Sequence, residues 1–261
     1  MQHLSSACNG RLKFLAKLLS SSKARRENRQ AVLEGVHLAD AYLNAGGLPL
    51  QVFIPEGKVG NDEIRTLLKR LPPKCAVSAS ASALAKISAL CDGEDVMSLV
   101  TIPLETALPL CGDCVVLERV QDPGNLGTIL RSAAAAGVRE VVLGRDCADV
   151  WSPKVLRAAM GAHFLLNLHC RVDLEGWCGR YGDPIWATAL GGRDNRCLYQ
   201  LDLSHPCAWL FGNEGGGLSD AVCQAATAAV KIPMVGETES LNVAMAATVC
   251  LFEQMRQRLG G

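Results

Sequence analysis

Short, nearly continuous apolar runs alternate with helical periodicity through the second half of the chain. The runs predict strands at 114–120, 138–143, 164–169, 185–190, 207–212 and 228–232. Strands apolar on both sides suit a parallel sheet covered by helices on both faces. A last helix is expected from Leu241 to Leu259, before Gly260-Gly261. The first half has a different rhythm. Phe14, Leu15, Leu18 and Leu19 recur at helical spacing until Ser20-Ser21-Ser22 interrupts them. Ala31 to Gly35 reads as a strand, Val36 to Leu43 as a helix, Gln51 to Ile54 as a strand and Asp62 to Leu71 as a helix stopped by Pro72-Pro73. A short extended piece at Val77, a helix from Ala81 to Leu90 and a strand from Val96 to Ile102 follow. Pro103 to Pro109 carries two prolines among polar residues and reads as a linker. The expected division is therefore 1–103, a linker at 104–112, and 113–261.

Composition narrows the class. The 261 residues are 49% hydrophobic and 20% charged, an ordinary balance for a folded domain pair. No run of eighteen apolar residues exists to span a membrane, and residues 1–10 have neither the basic start nor the apolar centre of a secretory signal. A cytoplasmic location is expected. Twelve cysteines are scattered through apolar segments, and the single Cys111-x-x-Cys114 has no second pair at metal-site spacing, so free thiols and no metal are expected.

Basic and acidic residues balance at 26 each, so net charge gives no sign of a polyanionic partner. Their distribution does. Arg11, Lys13, Lys17, Lys23, Arg25, Arg26 and Arg29 crowd one stretch against the single acid Glu27, enough to neutralise several phosphates. A solvated helix face is the alternative for such a run.

The chemistry concentrates in three blocks. Asp122-Pro123-Gly124-Asn125-Leu126-Gly127-Thr128-Ile129-Leu130-Arg131 follows the first strand of the second half. Phe211-Gly212-Asn213-Glu214-Gly215-Gly216-Gly217-Leu218-Ser219 follows a buried strand and precedes a helix. Ile232-Pro233-Met234 leads to Glu239-Ser240-Leu241-Asn242-Val243-Ala244-Met245-Ala246, which opens the last helix. Strand, bare loop, helix start is where open α/β sheets hold nucleotides, and this spacing is neither the dinucleotide fingerprint nor a Walker loop. In this order the blocks resemble the signature motifs of the SpoU/TrmH family of RNA ribose 2′-O-methyltransferases, in the SPOUT superfamily. The resemblance covers roughly residues 112–258. It implies a C-terminal α/β knot, a parallel sheet tied in a trefoil, which binds S-adenosylmethionine and dimerises through the knot region. Residues 11–102 are similar to the family's smaller N-terminal α/β domain, itself like an RNA-binding ribosomal protein. That match is carried by Arg25-Arg26-x-x-Arg29 and Glu34-Gly35-x-x-Leu38. Asp92-Gly93-Glu94-Asp95 departs from the family's usual proline and glutamine, and Ala159 stands where serine is common.

Carried onto this sequence, the resemblance implies catalytic roles for Arg131, Asn125, Glu214, Ser240 and Asn242. An arginine stays protonated, so Arg131 is suited to holding a phosphate bidentately beside the reacting hydroxyl rather than to taking its proton. Asn125 and Ser240 also suit helix caps, and Glu214 suits a helix start as a carboxylate facing the dipole. Gly212, Ile232 and Leu241 match positions whose backbone surrounds the cofactor. Asn213, Met234, Thr188, Ala189 and Leu190 are the other expected cofactor contacts, with core packing the alternative for Met234 and Leu190. Arg25, Arg26, Arg29 and Arg157 are the expected RNA contacts, and the five histidines read as packed or surface residues. The reading is methylation of a ribose 2′-hydroxyl in structured RNA, ribosomal RNA before transfer RNA. A base-methylating enzyme of the same knotted class and a non-catalytic RNA-binding or ribosome-assembly protein are the alternatives.

Overall fold

The computed structural model describes residues 2–4, 9–88, 95–188 and 195–259. They form two compact units. The first comprises 1–104 with 149–164, and the second 105–148 with 165–261.

In the first unit β1 (Gln2–Leu4), α1 (Gly10–Ser20), α2 (Ser22–Asn28), β2 (Gln30–Glu34), α3 (Val36–Asn44), β3 (Gln51–Pro55), α4 (Asp62–Arg70), β4 (Ala76–Ala79), α5 (Ala81–Ile87) and β5 (Met97–Thr101) follow one another. The sheet runs β1-β4-β3-β5-β2, parallel from β1 through β3 and antiparallel at β5. Strand alternation explains its two cores. Phe53 faces one side with Leu12, Leu15 and Leu18 of α1, while Val52 and Ile54 face the other with Ile64 and Leu67 of α4. Strand β1 has no pattern to betray it, being three residues on an edge beside β4.

The second unit begins with β6 (Cys114–Leu117), α6 (Pro123–Ala135) and β7 (Glu140–Gly144). Next comes α7 (Pro153–Ala159), inside the stretch that belongs to the first unit by its contacts. The chain continues with β8 (Asn167–Val172), α8 (Leu174–Cys178), β9 (Ile185–Thr188), β10 (Asn195–Cys197), β11 (Ala208–Phe211), α9 (Asp220–Ala225), β12 (Ala228–Lys231) and α10 (Val243–Leu259). All seven strands are parallel, in the order β10-β12-β9-β11-β6-β7-β8. Helices α8 and α9 cover one face, where Trp177 and Val222 pack on Val116, Val142 and Leu210. On β11 the alternate residue Trp209 is fully buried and donates its indole N–H to Gln254 of α10 at 2.6 Å.

Several expectations change. The first strand of this unit ends at Leu117 rather than at residue 120, because Arg119 takes the left-handed conformation with φ 56 and turns the chain out of the sheet. A 3-10 turn, Ala162–Leu165, occupies the start of the strand expected at 164–169, and β8 follows it. Strand β10 is short, polar and half-exposed, so apolar patterning cannot reveal it. The segment 149–164, read from sequence with the second domain, is bound into the first unit. There Asp149 accepts from Arg25, and Tyr42 meets Phe164 edge-on at 5.1 Å.

The same contact corrects an expected RNA ligand. Arg25 is 5% exposed, with Nε and Nη2 on Asp149 Oδ2 at 2.8 and 2.7 Å and Nη1 on the carbonyls of Leu18 and Leu19. A guanidinium so enclosed braces the turn between α1 and α2 and presents nothing to a phosphate.

Candidate active site

Three loops leave the C-terminal ends of parallel strands in the second sheet, each leading into a helix; β6 and β11 are adjacent, and β12 lies beyond β9. Residues 118–122 join β6 to α6, residues 212–219 join β11 to α9, and residues 232–242 join β12 to α10. Such ends collect helix N-termini and unpaired backbone groups, which makes them suited to binding.

The glycine loop closes on itself. Asn213 and Gly217 exchange backbone hydrogen bonds at 3.0 and 2.9 Å, and Asn213 Oδ1 accepts the N–H groups of Gly215 and Gly216. Gly217 has φ +63, and a Cβ on Gly212 would lie 2.3 Å from the Gly217 carbonyl carbon. Side chains at these positions would force the loop open.

Asp122, not Asn125, caps α6, its carboxylate accepting the Asn125 N–H at 2.7 Å, with Pro123 in the first turn. The Asn125 side chain is thereby left for other contacts. Its Nδ2 donates to Glu214 Oε1 at 3.0 Å, and its Oδ1 accepts from Asn242 Nδ2 at 2.9 Å. Asn242 in turn accepts the N–H groups of Ala244 and Met245, so it rather than Ser240 caps α10. The first turn of α6 and the two later loops are therefore joined by one chain, Glu214–Asn125–Asn242. Glu214 sits at the N-terminus of α6, where its Oε1 also accepts the Asp122 N–H at 3.3 Å, and not at the start of α9. Desolvation pushes its carboxyl upward, but the hydrogen bonds from Asn125 and the nearby backbone outweigh it and hold the group below the ordinary carboxylate range.

Beside this chain lies a cavity of about 680 Å³. It is lined by Gly212, Asn213, Thr188, Ile232, Met234 and Leu241 of the expected cofactor contacts and by Glu214, Ser240 and Asn242 of the expected catalytic set. Ala189 and Leu190 lie outside the described residues. Asn125 reaches the cavity only through its two hydrogen-bonded neighbours. Arg131 is not in the lining; it stands on the exposed side of α6 with no hydrogen-bond or ion-pair partner among the described residues. Asp220, Cys223 and Lys231, which lie outside the three motif blocks, also line the cavity. Asp220 and Cys223 lie at i and i+3 from the helix start, a spacing that places them on one side of α9. Burial pushes the Cys223 thiol up, so it is a neutral wall of the cavity. Among the proposed RNA contacts, Arg26, Arg29 and Arg157 are exposed.

The SpoU rRNA Methylase family model matches residues 113–252, the stretch that contains all three loops. This chain belongs to the SpoU rRNA Methylase family. An uncharacterized tRNA/rRNA methyltransferase of Synechocystis is 36% identical over 92% of this chain and 89% of its own length. The 23S rRNA (guanosine(2553)-2′-O)-methyltransferase of Bacillus subtilis is 29% identical over 97% of this chain and 98% of its own. Among solved structures, an RNA 2′-O ribose methyltransferase superposes with a TM-score of 0.82 at 31% identity, covering 99% of this chain and 100% of that one. The AdoMet-bound rRNA methyltransferase of Sinorhizobium meliloti gives 0.82 at 28% identity, covering 98% and 97%. The SpoU match covers most of the second unit together with residues 149–164, whereas these relatives and structures extend over the rest of the first unit as well.

Proposed function

We propose that this protein methylates a ribose 2′-hydroxyl of structured RNA, ribosomal RNA in preference to transfer RNA, using S-adenosylmethionine. The carrying observation is the Glu214–Asn125–Asn242 hydrogen-bond chain along a cavity of nucleoside size. The cavity suits that cofactor. Its glycine wall offers backbone N–H and C=O groups, Met234 and Leu241 give apolar surface, and Glu214 and Asp220 set two carboxylates against the single cation Lys231. An acidic lining favours a cationic sulfonium. When bound, S-adenosylmethionine supplies a methyl group activated by its positive sulfur.

The chain's own residues orient the acceptor. Asn242 places its side chain where the ribose enters, Asn125 fixes it from outside the cavity, and Ser240 adds a hydroxyl. Arg131 holds the neighbouring RNA phosphate, which accepts the hydroxyl proton while the guanidinium stabilises the charge. Arg26, Arg29 and Arg157 bind the RNA backbone beyond the site, and residues 1–103 serve as the RNA-recognition domain.

The finer architecture belongs to the same proposal. Strand β12 lies between β9 and β10, and α10 is tied back to the start of β6 by the ion pair of Arg258 with Asp113, which supports a trefoil-knotted C-terminal domain. Met245, Phe252 and Leu259 form an exposed apolar stripe at heptad spacing on α10, which supports a homodimer through that helix. Among the described residues no helix is long and apolar enough to cross a membrane. We place the enzyme in the cytoplasm, beside its RNA.

The test is transfer of labelled methyl groups to RNA from cells lacking the protein, followed by digestion to nucleosides. A labelled 2′-O-methyl nucleoside in ribosomal RNA is the expected product. Label in transfer RNA would reassign the substrate, and label on a base would overturn the ribose chemistry. Binding of RNA without transfer would favour the non-catalytic alternative.

A further inference from the structure

The glycine loop has no side chains of its own between Gly215 and Gly217 to hold its shape, yet it forms a wall of the cavity. Besides the bonds that Asn213 makes within the loop, its supports come from the two residues that follow β6. The Glu118 carboxylate accepts both the Ser219 N–H and the Ser219 hydroxyl, each at 2.7 Å. Arg119 accepts Asn213 Nδ2 on its backbone oxygen at 2.9 Å and donates Nη2 to the Gly217 carbonyl at 3.3 Å. One dipeptide thus grips the loop at Asn213, at its last glycine and at the cap of the helix that follows.

The arrangement carries a cost that a purely structural turn would avoid. Arg119 holds φ 56, a conformation that glycine or asparagine adopts more easily. Its Nε is buried with no hydrogen-bond partner. The Glu118 side chain is 13% exposed, and a guanidinium nitrogen of Arg119 lies 3.8 Å from its carboxylate. The carboxylate's close partners are the groups of Ser219. A strained arginine and a half-buried acid, both spent on the same loop, indicate a loop whose position matters more than the local stability of the turn.

We infer that Glu118 and Arg119 are positioning residues that hold the glycine loop in its cofactor-binding shape, so that they set affinity for S-adenosylmethionine rather than the rate of methyl transfer. The inference rests on the cofactor site proposed above. Glu118 acts on the side of the wall formed by Leu218, Asp220 and Cys223, because Ser219 is the N-cap of α9. Arg119 acts on the turn itself. Asn213 and Gly217 are the two feet of the closed loop, and both are tied to this one residue.

Calorimetric titration of S-adenosylmethionine into the full-length protein, with melting temperature and steady-state kinetics measured on the same preparations, separates the possibilities. Arg119→Gly relieves the left-handed backbone and keeps the carbonyl that Asn213 uses, but removes the guanidinium. It is expected to melt no lower than wild type while its cofactor Kd rises about fivefold to tenfold, the range of one lost hydrogen bond. Glu118→Ala is expected to raise Kd by at least as much, with kcat at saturating cofactor within about twofold of wild type, as for an interaction made equally in ground and transition states. Glu118→Gln, which keeps one acceptor, should recover part of the affinity. Unchanged Kd in both Arg119→Gly and Glu118→Ala overturns the inference, as does a fall in kcat with Kd unaltered. Wild-type protein that takes up no cofactor overturns the site reading, and the inference with it. Uptake by wild type with no effect of either substitution overturns the inference alone.

Discussion

Two arginines, one in each unit, are used in opposite ways. In the first, Arg25 is enclosed and its guanidinium is divided between Asp149 and two backbone carbonyls. In the second, Arg131 stands exposed on α6 with no partner among the described residues. Both lie in stretches whose sequence suggests contact with RNA. A charge held by its own fold is part of the structure, while one that the fold leaves unspent is free for a ligand. The acceptors around each arginine make the difference. Buried carbonyls at the end of α1 need a donor, and the exposed side of α6 offers none.

The comparison sharpens most at Arg131. Arg131→Ala is expected to lower the rate of methyl transfer by about a hundredfold to a thousandfold, the range for removing a preorganised donor from a developing charge. Because Arg131 is absent from the cavity lining, affinity for S-adenosylmethionine by calorimetry should be unchanged. Lysine at the same position keeps the charge without the planar fork and should restore only part of the rate. A variant with full kcat would show that this free arginine is an ordinary surface residue.

Arg25→Ala should do the reverse. Its removal leaves Asp149 and the Leu18 and Leu19 carbonyls without their donor, and the expected loss is about 2 to 3 kcal/mol of stability for a largely buried pair. Denaturant unfolding measures that loss. RNA affinity per folded molecule should be unaltered, and a marked fall in affinity with stability intact would return Arg25 to the RNA surface.

Much of this was legible in the sequence because apolar runs and glycine-rich loops are local signals. The parallel sheet follows from strands such as Cys114–Leu117 and Ala208–Phe211, which are buried at every position and so have no polar alternation. The loops that bear Asn125, Glu214 and Asn242 were equally plain, being motifs. Their connection was not, since Glu214 and Asn125 are 89 residues apart and Asn125 and Asn242 are 117 apart. Caps were misjudged for a related reason. Asp122, Asn125, Ser240 and Asn242 are all competent capping residues, and only the fold decides which side chain turns back to the helix and which reaches across. Arg25 was misread because nothing near it in sequence announces Asp149, 124 residues away. Strands β1 and β10, three residues each on sheet edges, fall below the length at which periodicity can be detected.

A milder test uses the basic residues that remain exposed near Arg25. The Arg26 guanidinium has no hydrogen bond or ion pair among the described residues, and Arg29, which closes α2 in the left-handed conformation at φ 50, donates one guanidinium N–H to the Ile102 carbonyl at 3.2 Å. Arg26→Ala and Arg29→Gly should each weaken RNA binding and flatten the dependence of log affinity on log salt by about one phosphate's worth. Arg29→Gly should leave the melting temperature close to the wild-type value, because the relief of backbone strain at this cap offsets the loss of the exposed bond to the Ile102 carbonyl. An unchanged salt slope in both would mean that the basic stretch is a solvated face. The contrast between held and free arginines would then lie wholly between Arg25 and Arg131.

The smallest expected effect concerns the acid at the centre of the site. Hydrogen bonds from Asn125 and the Asp122 backbone keep the Glu214 carboxyl below its ordinary value against the desolvation that opposes them. A carboxylate whose folded pKa is depressed contributes stability that is fully present above the unfolded value and is lost as pH falls through the folded one. Between those two values the unfolded chain binds more protons than the native protein, so stability must climb with pH across that window. Glu214→Gln removes the titration while keeping one acceptor for Asn125. The variant should therefore differ from wild type near neutrality and converge on it under acid. Paired thermal melts from neutral pH down to below the carboxylate range measure this, and the gap should be modest because Glu214 is exposed and water screens it. A gap that stays constant across the series would mean that the carboxylate is neutral-equivalent in the fold. In that case the Asn125 amide would be held by Asn242 alone.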